Sequence, residues 1–525
     1  MPDITKSPTR TAETSRWFWG VFFSLAVFVY FFGLNIPLVG PDEPRYAEVA
    51  REMFERGDWV TPTLGSFNWF EKPALLYWLE IVSYHVFGVT EFAARFGSAL
   101  CGLGTVCSLW ILGRFAVSDR PDFANWLAMI AASTIGILAF SHGASFDIVI
   151  TFPITASLDG FFVFDTYHEK ASPRPKALAL GTFYFFIGVA LLAKGLIGLV
   201  FPFGIVALYF LFTRRWPSRT FLISLFWGIP LFIIIAASWY LPMCLRHGYT
   251  FIDEFIIQQH FQRFTSNKYQ HPQPFYFFFW VLPLMTIPWL PFFLWGLWKS
   301  IRDLVPSLVG RAERVKLPAP AGDSDSSSSP PLLFSSSESS LLLFSLAWLL
   351  IPLVFFSFSG SKLPGYILPA LPGAVLLSSI YIYRLVQKSM LLRRLVQATA
   401  VGTLIVCVIA ILFVVPSFAR KESVKSLIAN ADARGYSTAP VASFLTVSHN
   451  AEFYAAGRII RDDEGKQRRF IGQHELLEYI LQNDNTPIVV LVPLDQITHL
   501  TSDDQLKTEV LKDNGELGVV IVSAN

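Results

Sequence analysis

Charge is scarce in this 525-residue chain: Asp, Glu, Lys and Arg make up 15% of it, against 53% hydrophobic residues, with 50 Phe, 15 Trp and 17 Tyr. A soluble protein of this size could not keep such a surface wet, so an ordinary globular enzyme is excluded and a membrane protein is indicated. The net charge of +2 leaves no global field for nucleic acid, and the cations matter only through where they sit. Cysteine is scarcer still. Cys101, Cys107, Cys244 and Cys407 fall mostly inside apolar runs without CxxC spacing, which excludes a disulfide framework or thiolate metal site and reads them as small core residues. A small-x-small cleavage site is also missing after Trp17–Phe32, although Lys6, Arg10 and Arg16 precede that stretch. A retained first span is therefore expected rather than a cleaved leader.

What is present is a series of apolar runs long enough to cross ~30 Å of hydrocarbon, at about 17–37, 91–117, 122–145, 147–167, 177–193, 195–213, 219–241, 275–298, 341–358, 365–384 and 395–416. These predict about eleven transmembrane helices, with up to thirteen allowed. The run 177–213 is too long for one crossing and must turn at Lys194-Gly195; the run 341–384 must turn at Ser357-Phe-Ser-Gly-Ser-Lys-Leu-Pro364. Every second connection is basic, from Arg114 and Arg120 through Arg214, Arg215 and Arg219 to Arg384, Lys388, Arg393 and Arg394. Lys and Arg are held back on the cytoplasmic side of short loops, so the N-terminus is expected inside. The predicted organisation is a cytoplasmic tail at 1–16, a transmembrane domain at 17–416, and a small α/β domain at 417–525 on the outer side. Residues 318–340, Ser-rich and unable to bury a core, are expected to form a disordered cytoplasmic insert.

That orientation turns attention to the outer loops, 38–90 and 242–274. The first is expected to hold two interfacial helices. One starts at Pro41-Asp42-Glu43-Pro44, presents Tyr46, Val49, Ala50 and Met53 on an apolar face and Glu48, Arg51, Glu52 and Arg56 on a polar one, and stops at Gly57. The other starts at Glu71-Lys72-Pro73 and runs to Gly88. Capping the first helix is the structural alternative for Asp42. Asp147, Lys194 and Lys362 emerge on the same side, and the second outer loop adds His247, Asp253, Glu254, His260 and Arg263. Ionisable groups beside hydrocarbon cost free energy unless paired or used, so a convergent set marks a candidate site. Carboxylates, imidazoles and cations near the outer leaflet suit a reaction on a phosphate-linked lipid, the cations holding phosphate and a carboxylate serving the acceptor.

These residues also resemble a known family. Pro41-Asp42-Glu43-Pro44-Arg45-Tyr46-Ala47-Glu48, then Gly57-Asp58-Trp59-Val60-Thr61-Pro62 and Phe70-Glu71-Lys72-Pro73-x-x-x-Tyr77-Trp78, are similar to the first outer loop of ArnT-like (aminoarabinose transferase) and protein O-mannosyltransferase-related glycosyltransferases. Phe146-Asp147-x-x-x-Thr151-Phe152, Ala193-Lys194-Gly195, His260-Phe-Gln-Arg263-Phe264 and Gly360-Ser-Lys362-Leu-Pro364-Gly-Tyr366-Ile-Leu-Pro369 extend the likeness, in order, from about residue 17 to 385. The resemblance implies a GT-C fold, a polyprenyl-phosphate sugar donor and inversion at the anomeric carbon. It implies Asp42 as the catalytic carboxylate with Asp147 assisting; Lys72 and Arg263 on the carrier phosphate; and Lys194, Lys362 and Tyr366 along the phosphate or lipid entrance. Glu43, Arg45 and Tyr46 support that loop. Glu71 and His260 are candidate ligands of a divalent metal, two being too few to define a geometry; no organic cofactor is expected. The function so implied is transfer of a sugar such as aminoarabinose or mannose, from undecaprenyl or a similar polyprenyl phosphate, to lipid A, another glycan or a protein, at the outer face of a bacterial inner membrane. The competing reading is a polyprenol-linked sugar flippase without transferase activity. Against it, the charges cluster at outer ends rather than mid-span and no inverted repeat is visible.

Overall fold

A computed structural model of the chain describes residues 16–117, 120–167, 173–262, 273–314 and 336–525. The N-terminal tail expected in the cytoplasm, most of the Ser-rich insert and Arg263 lie outside the described residues. Among those described, seven helices are long and apolar enough to cross a bilayer: Glu91–Ala116, Phe146–Thr166, Arg174–Lys194, Arg219–Gln259, Glu338–Ser357, Pro364–Lys388 and Met390–Glu422. An eighth is the pair Phe123–Ala132 and Ile135–Ser141, bent by 57°. The bend falls where Ser133 and Thr134 turn their hydroxyls back to the carbonyls of Met129 and Ile130, both at 2.7 Å, competing with the backbone ladder. The remaining expected spans are also helical but differ from plain crossings: Arg16–Phe31 and Ile197–Thr213 are shorter, and the run at 275–298 is split into Phe277–Met285 and Leu290–Arg314 around Pro288, which has no N–H to continue a helix.

The two turns read from the sequence are present. Gly195 takes φ +71°, a left-handed conformation costly for any residue with a Cβ, immediately after the helix ending at Lys194. Ser357 ends one span and Pro364 opens the short 3-10 segment Pro364–Ala370. The stretch expected as an outer loop at 242–274 departs from expectation. The helix from Arg219 runs past residue 241 to a kink at Gly248 (φ +56°, ψ −134°), and the chain continues helical to Phe251 and then, wider-wound, from Ile252 to Gln262. The part before Gly248 alone, about 44 Å of helix, overshoots ~30 Å of hydrocarbon, so its end must project beyond it. The projecting part is held by the first loop. Trp239 Nε1 donates to Val60 O at 2.8 Å, His247 Nε2 lies 2.9 Å from Thr61 Oγ1, and Arg246 reaches Asp58 at 2.8 Å.

That first loop folds as Asp42–Arg56, a two-residue ribbon of β1 (Thr63–Leu64) and β2 (Phe67–Asn68), and the helix Leu75–Phe87. Tyr46, Val49, Ala50 and Met53 are buried, as their spacing predicts, and Gly57 ends the first helix at φ +65°. The polar face is partly buried too, at Glu48 and Arg51. They pair with each other, and Arg51 Nη1 donates to Phe453 O at 2.9 Å while its guanidinium lies 5.5 Å from the Phe453 ring. Phe453 belongs to the C-terminal domain, whose five strands are β3 (Val441–Phe444), β4 (Arg469–Phe470), β5 (Ile488–Pro493), β6 (Leu506–Asp513) and β7 (Leu517–Ala524), in spatial order β4-β3-β5-β7-β6. β3 pairs in parallel with β4 and β5; β7 pairs antiparallel with β5 and β6. Tyr454 ties this domain down further, its hydroxyl accepting from Leu38 N–H at 2.8 Å and reaching Glu91 at 3.1 Å.

One buried ion pair joins these parts. Glu43 and Arg95 are 8% and 4% exposed, and their carboxylate and guanidinium meet along two edges at 2.6 and 2.8 Å. Glu43 also accepts from Val39 N–H at 3.0 Å and Ala144 N–H at 2.9 Å, while Arg95 donates to the carbonyls of Leu34 at 3.0 Å, Pro37 at 3.1 Å and Ile36. Removing one charge strands the other in low dielectric, a loss of about 3–5 kcal/mol. Glu43→Gln is therefore expected to lower the thermal unfolding temperature of the detergent-solubilised protein sharply, and a paired Glu43→Leu/Arg95→Met change to lower it less. Equal unfolding temperatures for wild type and Glu43→Gln would contradict that role.

Candidate active site

Asp42 occupies the first turn of its helix, and no side chain caps that helix, whose N-cap residue is Pro41. The capping alternative for Asp42 therefore finds no hydrogen bond. Its carboxylate is 47% exposed and pairs with Arg45, which donates through Nε to Pro41 O at 2.8 Å and lies 5.7 Å from the Trp69 ring. An exposed carboxylate oriented by an arginine that is itself fixed to backbone and ring is preorganised and open to an incoming group. One turn on, Tyr46 places its ring edge-on to Phe146 at 4.8 Å, and Tyr77 meets the same ring at 5.4 Å. Burial, then the charges of Asp42 and Glu71, push the Tyr46 hydroxyl well above its ordinary value, so it remains a protonated donor beside two carboxylates.

Phe146 leads to Asp147, which pairs with Lys194. Lys194 in turn lies 4.7 Å from the Tyr366 ring. A Cβ on Gly365 would run into Asp147 Oδ2, so glycine is what lets the Lys362–Tyr366 turn approach this pair. Three separate motifs of the sequence thus meet at one place. Lys362, however, is 6% exposed and directs its ammonium to backbone: it donates to Ser359 O at 2.6 Å and Gln273 O at 3.0 Å, holding the turn together.

A pocket of about 280 Å³ opens here. Glu71, Lys72, Lys194 and Tyr366 line it, with Leu196, Ile197, Val200, Phe255, Phe355 and Phe356 forming most of the remaining wall. Two lysines and one carboxylate, Glu71, therefore line a cavity whose remaining wall is mostly apolar, a combination that suits a ligand with an anionic head and a hydrocarbon body. His260 belongs to the wider-wound helical segment whose Gln259 and Phe261 line the same pocket. Among the described residues no three His, Cys, Asp or Glu side chains gather as metal ligands.

Sequence reasoning missed three contributors. Arg95 lies inside an apolar run and carries no motif. Phe255 comes from a stretch expected to be loop. His449, from the C-terminal domain, comes within electrostatic reach of Arg45 and Asp42, and burial, then Arg45, hold its imidazole below the usual value. Some 400 residues separate His449 from that helix, and nothing local signals the approach.

Comparison with known proteins agrees with this geometry. Residues 21–252 match the family model "Dolichyl-phosphate-mannose-protein mannosyltransferase". The undecaprenyl phosphate-alpha-4-amino-4-deoxy-L-arabinose arabinosyl transferase of Yersinia enterocolitica is 29% identical over 448 residues, covering 83% of this chain and 72% of that protein. The Aeromonas salmonicida protein of the same name is 30% identical, covering 65% of this chain and 56% of its own length. In fold, the crystal structure of ArnT from Cupriavidus metallidurans bound to undecaprenyl phosphate superposes with a TM-score of 0.77 at 22% identity, over 97% of this chain and 98% of the other; its apo form gives 0.74. The chain is a multi-pass membrane protein of GT-C fold and is similar to the ArnT-like, protein O-mannosyltransferase-related glycosyltransferases.

Proposed function

We propose that this chain transfers a sugar from a polyprenyl-phosphate carrier to an acceptor on the outer face of the bacterial inner membrane, with inversion at the anomeric carbon. The observation that carries the reading is the pocket bordered by Lys72 and Lys194 and walled with apolar side chains. The carrier's phosphate would sit against the two ammonium groups, with Arg263 as a further cation, and its first isoprene units against Ile197, Val200 and Phe355. The names of the similar arabinosyl transferases support 4-amino-4-deoxy-arabinose as the sugar. The acceptor is a nucleophilic oxygen of lipid A, another glycan or a protein.

The chemistry follows from charge. The acceptor oxygen bonds to C1 of the sugar from the face opposite the carrier as the C1–O bond to the phosphate breaks, and the leaving phosphate monoester gains a negative charge. Cations at the leaving group stabilise that developing charge. Asp42, exposed beside Arg45, takes the proton of an acceptor hydroxyl; for an acceptor phosphate, already ionised, it positions the nucleophile instead. Asp147 holds Lys194 toward Tyr366 and acts through it. Glu71 and His260 remain a two-ligand metal proposal, and no step above runs through a metal.

A kinetic contrast tests these roles. Lys72→Ala loses a charge-assisted contact of about 1.5–3 kcal/mol, so donor affinity is expected to fall roughly tenfold to a hundredfold. Asp42→Asn is nearly isosteric and is expected to keep donor affinity while turnover with a hydroxyl acceptor falls roughly 10²–10⁴-fold. Wild-type turnover in Asp42→Asn, or unchanged donor affinity in Lys72→Ala, would refute the corresponding role.

The proposal also needs the first loop and the C-terminal domain outside the cytoplasm. The alternation of basic connections supports this, as does the packing of Phe453 and Tyr454 on that loop, which puts the two on one side. A reporter active only in the cytoplasm, fused after Asn525, should stay silent; an active fusion would reverse the orientation.

A further inference from the structure

On the membrane face opposite Asp42 there is a second, differently built cavity. Arg120 follows the far end of the Glu91–Ala116 span, whose near end carries Arg95. Around it lies a cavity of about 550 Å³, lined by Arg120, Lys299, Arg384 and Lys388 with Glu338 as the one carboxylate among them. Four chain segments converge here: the start of the broken span, the first half of Leu290–Arg314, the end of Leu371–Lys388 and the start of Ser336–Ser357.

The carboxylates nearby are already engaged. Glu338 accepts from Arg120 at 2.7 Å on one oxygen and from Arg384 at 2.6 Å on the other. Asp122 accepts from the Tyr383 hydroxyl on one oxygen and from Gln387 at 3.1 Å on the other. Lys299 instead rests on ring faces, 5.2 Å from Trp295 and 5.9 Å from Tyr381. Lys388 has no acidic partner among the described residues. Arg393, close enough to Tyr383 to act on its hydroxyl, is 7% exposed, and its Nε has no hydrogen-bond partner among the described residues. Among the described residues, four cations line the cavity and Arg393 stands near Tyr383, against the carboxylates Glu338 and Asp122, a local excess of positive charge, and a buried guanidinium N–H left unpaired is costly. The tendency of basic residues to stay in cytoplasmic loops accounts for their number. It does not account for their convergence on one cavity.

We propose that this cavity binds the headgroup phosphate of an anionic phospholipid from the adjacent leaflet. The rim favours a lipid over a dissolved anion. Trp295, Trp298 and Ile301, on the helix that carries Lys299, are exposed, and Arg302 lies 4.8 Å from the Trp298 ring, the arrangement of aromatic and basic residues found at headgroup level. Basic pockets between membrane helices on this side bind phosphate headgroups by the same chemistry. The bound lipid would brace the ends of the helices that carry these cations, far from the reacting groups.

The test uses the full chain in detergent, wild type and Lys299→Gln/Lys388→Gln, with three additions at equal phosphate concentration: phosphatidylglycerol, phosphatidylcholine of the same chains, and inorganic phosphate. Native mass spectrometry and thermal unfolding read retention and protection. Wild type is expected to retain phosphatidylglycerol over phosphatidylcholine and to be protected by it, inorganic phosphate giving no comparable protection. The double Gln variant should retain it roughly tenfold less, and Lys299→Arg/Lys388→Arg should restore retention. Equal retention of both lipids by wild type, undiminished retention in the Gln variant, or equal protection by inorganic phosphate would each overturn the proposal. Should the Gln variant fail to fold, the wild-type comparison and the Arg variant decide alone.

Discussion

The buried pair of Glu43 and Arg95 is the constraint on which the candidate site depends. Glu43 follows Asp42 directly, and Arg95 is anchored to the chain end entering the loop and to the first long span behind it. Fixing Glu43 therefore fixes where the helix bearing Asp42 begins, and its bond from Ala144 N–H sets the turn that leads to Asp147. The pair would be expensive if either charge stood alone, but each oxygen and most of the guanidinium N–H groups have partners. Geometry at the membrane surface is thus inherited from a polar joint inside the protein, not from the exposed loop itself.

From that joint outward, the pocket combines two chemistries that seldom coexist. The membrane supplies apolar side chains in abundance, as the walls around Ile197, Val200, Phe355 and Phe356 show. Lys72 and Lys194 are brought to its border by the bend that precedes the Leu75–Phe87 helix and by a Gly-stabilised helix end. Lys194 is tempered by Asp147 and braced on Tyr366, so its charge is positioned at little cost in side-chain freedom. The C-terminal domain covers the polar face of the Asp42 helix and brings His449 toward Arg45, which makes it part of the site's enclosure.

Much of this was legible in the sequence, for identifiable reasons. Long apolar runs and alternating basic loops report directly on a bilayer, and Lys194-Gly195 was the place where an overlong run had to turn; the structure turns there. The apolar stripe Tyr46, Val49, Ala50, Met53 follows from helical spacing and is buried. The opposite stripe is legible as polar, but spacing does not report what covers it, and Glu48 and Arg51 are covered by a domain 400 residues away. The segment after residue 241 was misread because its Gln, His and charged residues suit a loop as well as a helix, and only packing of Phe251 and Phe255 on Trp239 and Phe70 decides for the helix. The β6 strand, with Lys507, Glu509, Lys512 and Asp513 along an edge, lacks the apolar alternation that reveals a strand. Arg95 gave no signal at all, since one arginine in an apolar run looks the same whether it snorkels or pairs.

In the proposed reaction the carrier's phosphate leaves as the sugar is transferred. This is tested most directly by incubating purified protein with a polyprenyl-phosphate sugar bearing ¹⁸O in the bridge between C1 and phosphorus, together with an acceptor. The account predicts free polyprenyl phosphate that keeps the label, in equal amount to a glycosylated acceptor of inverted anomeric configuration. Intact carrier-linked sugar moved across vesicles without release of free carrier would contradict it and leave a flippase in its place.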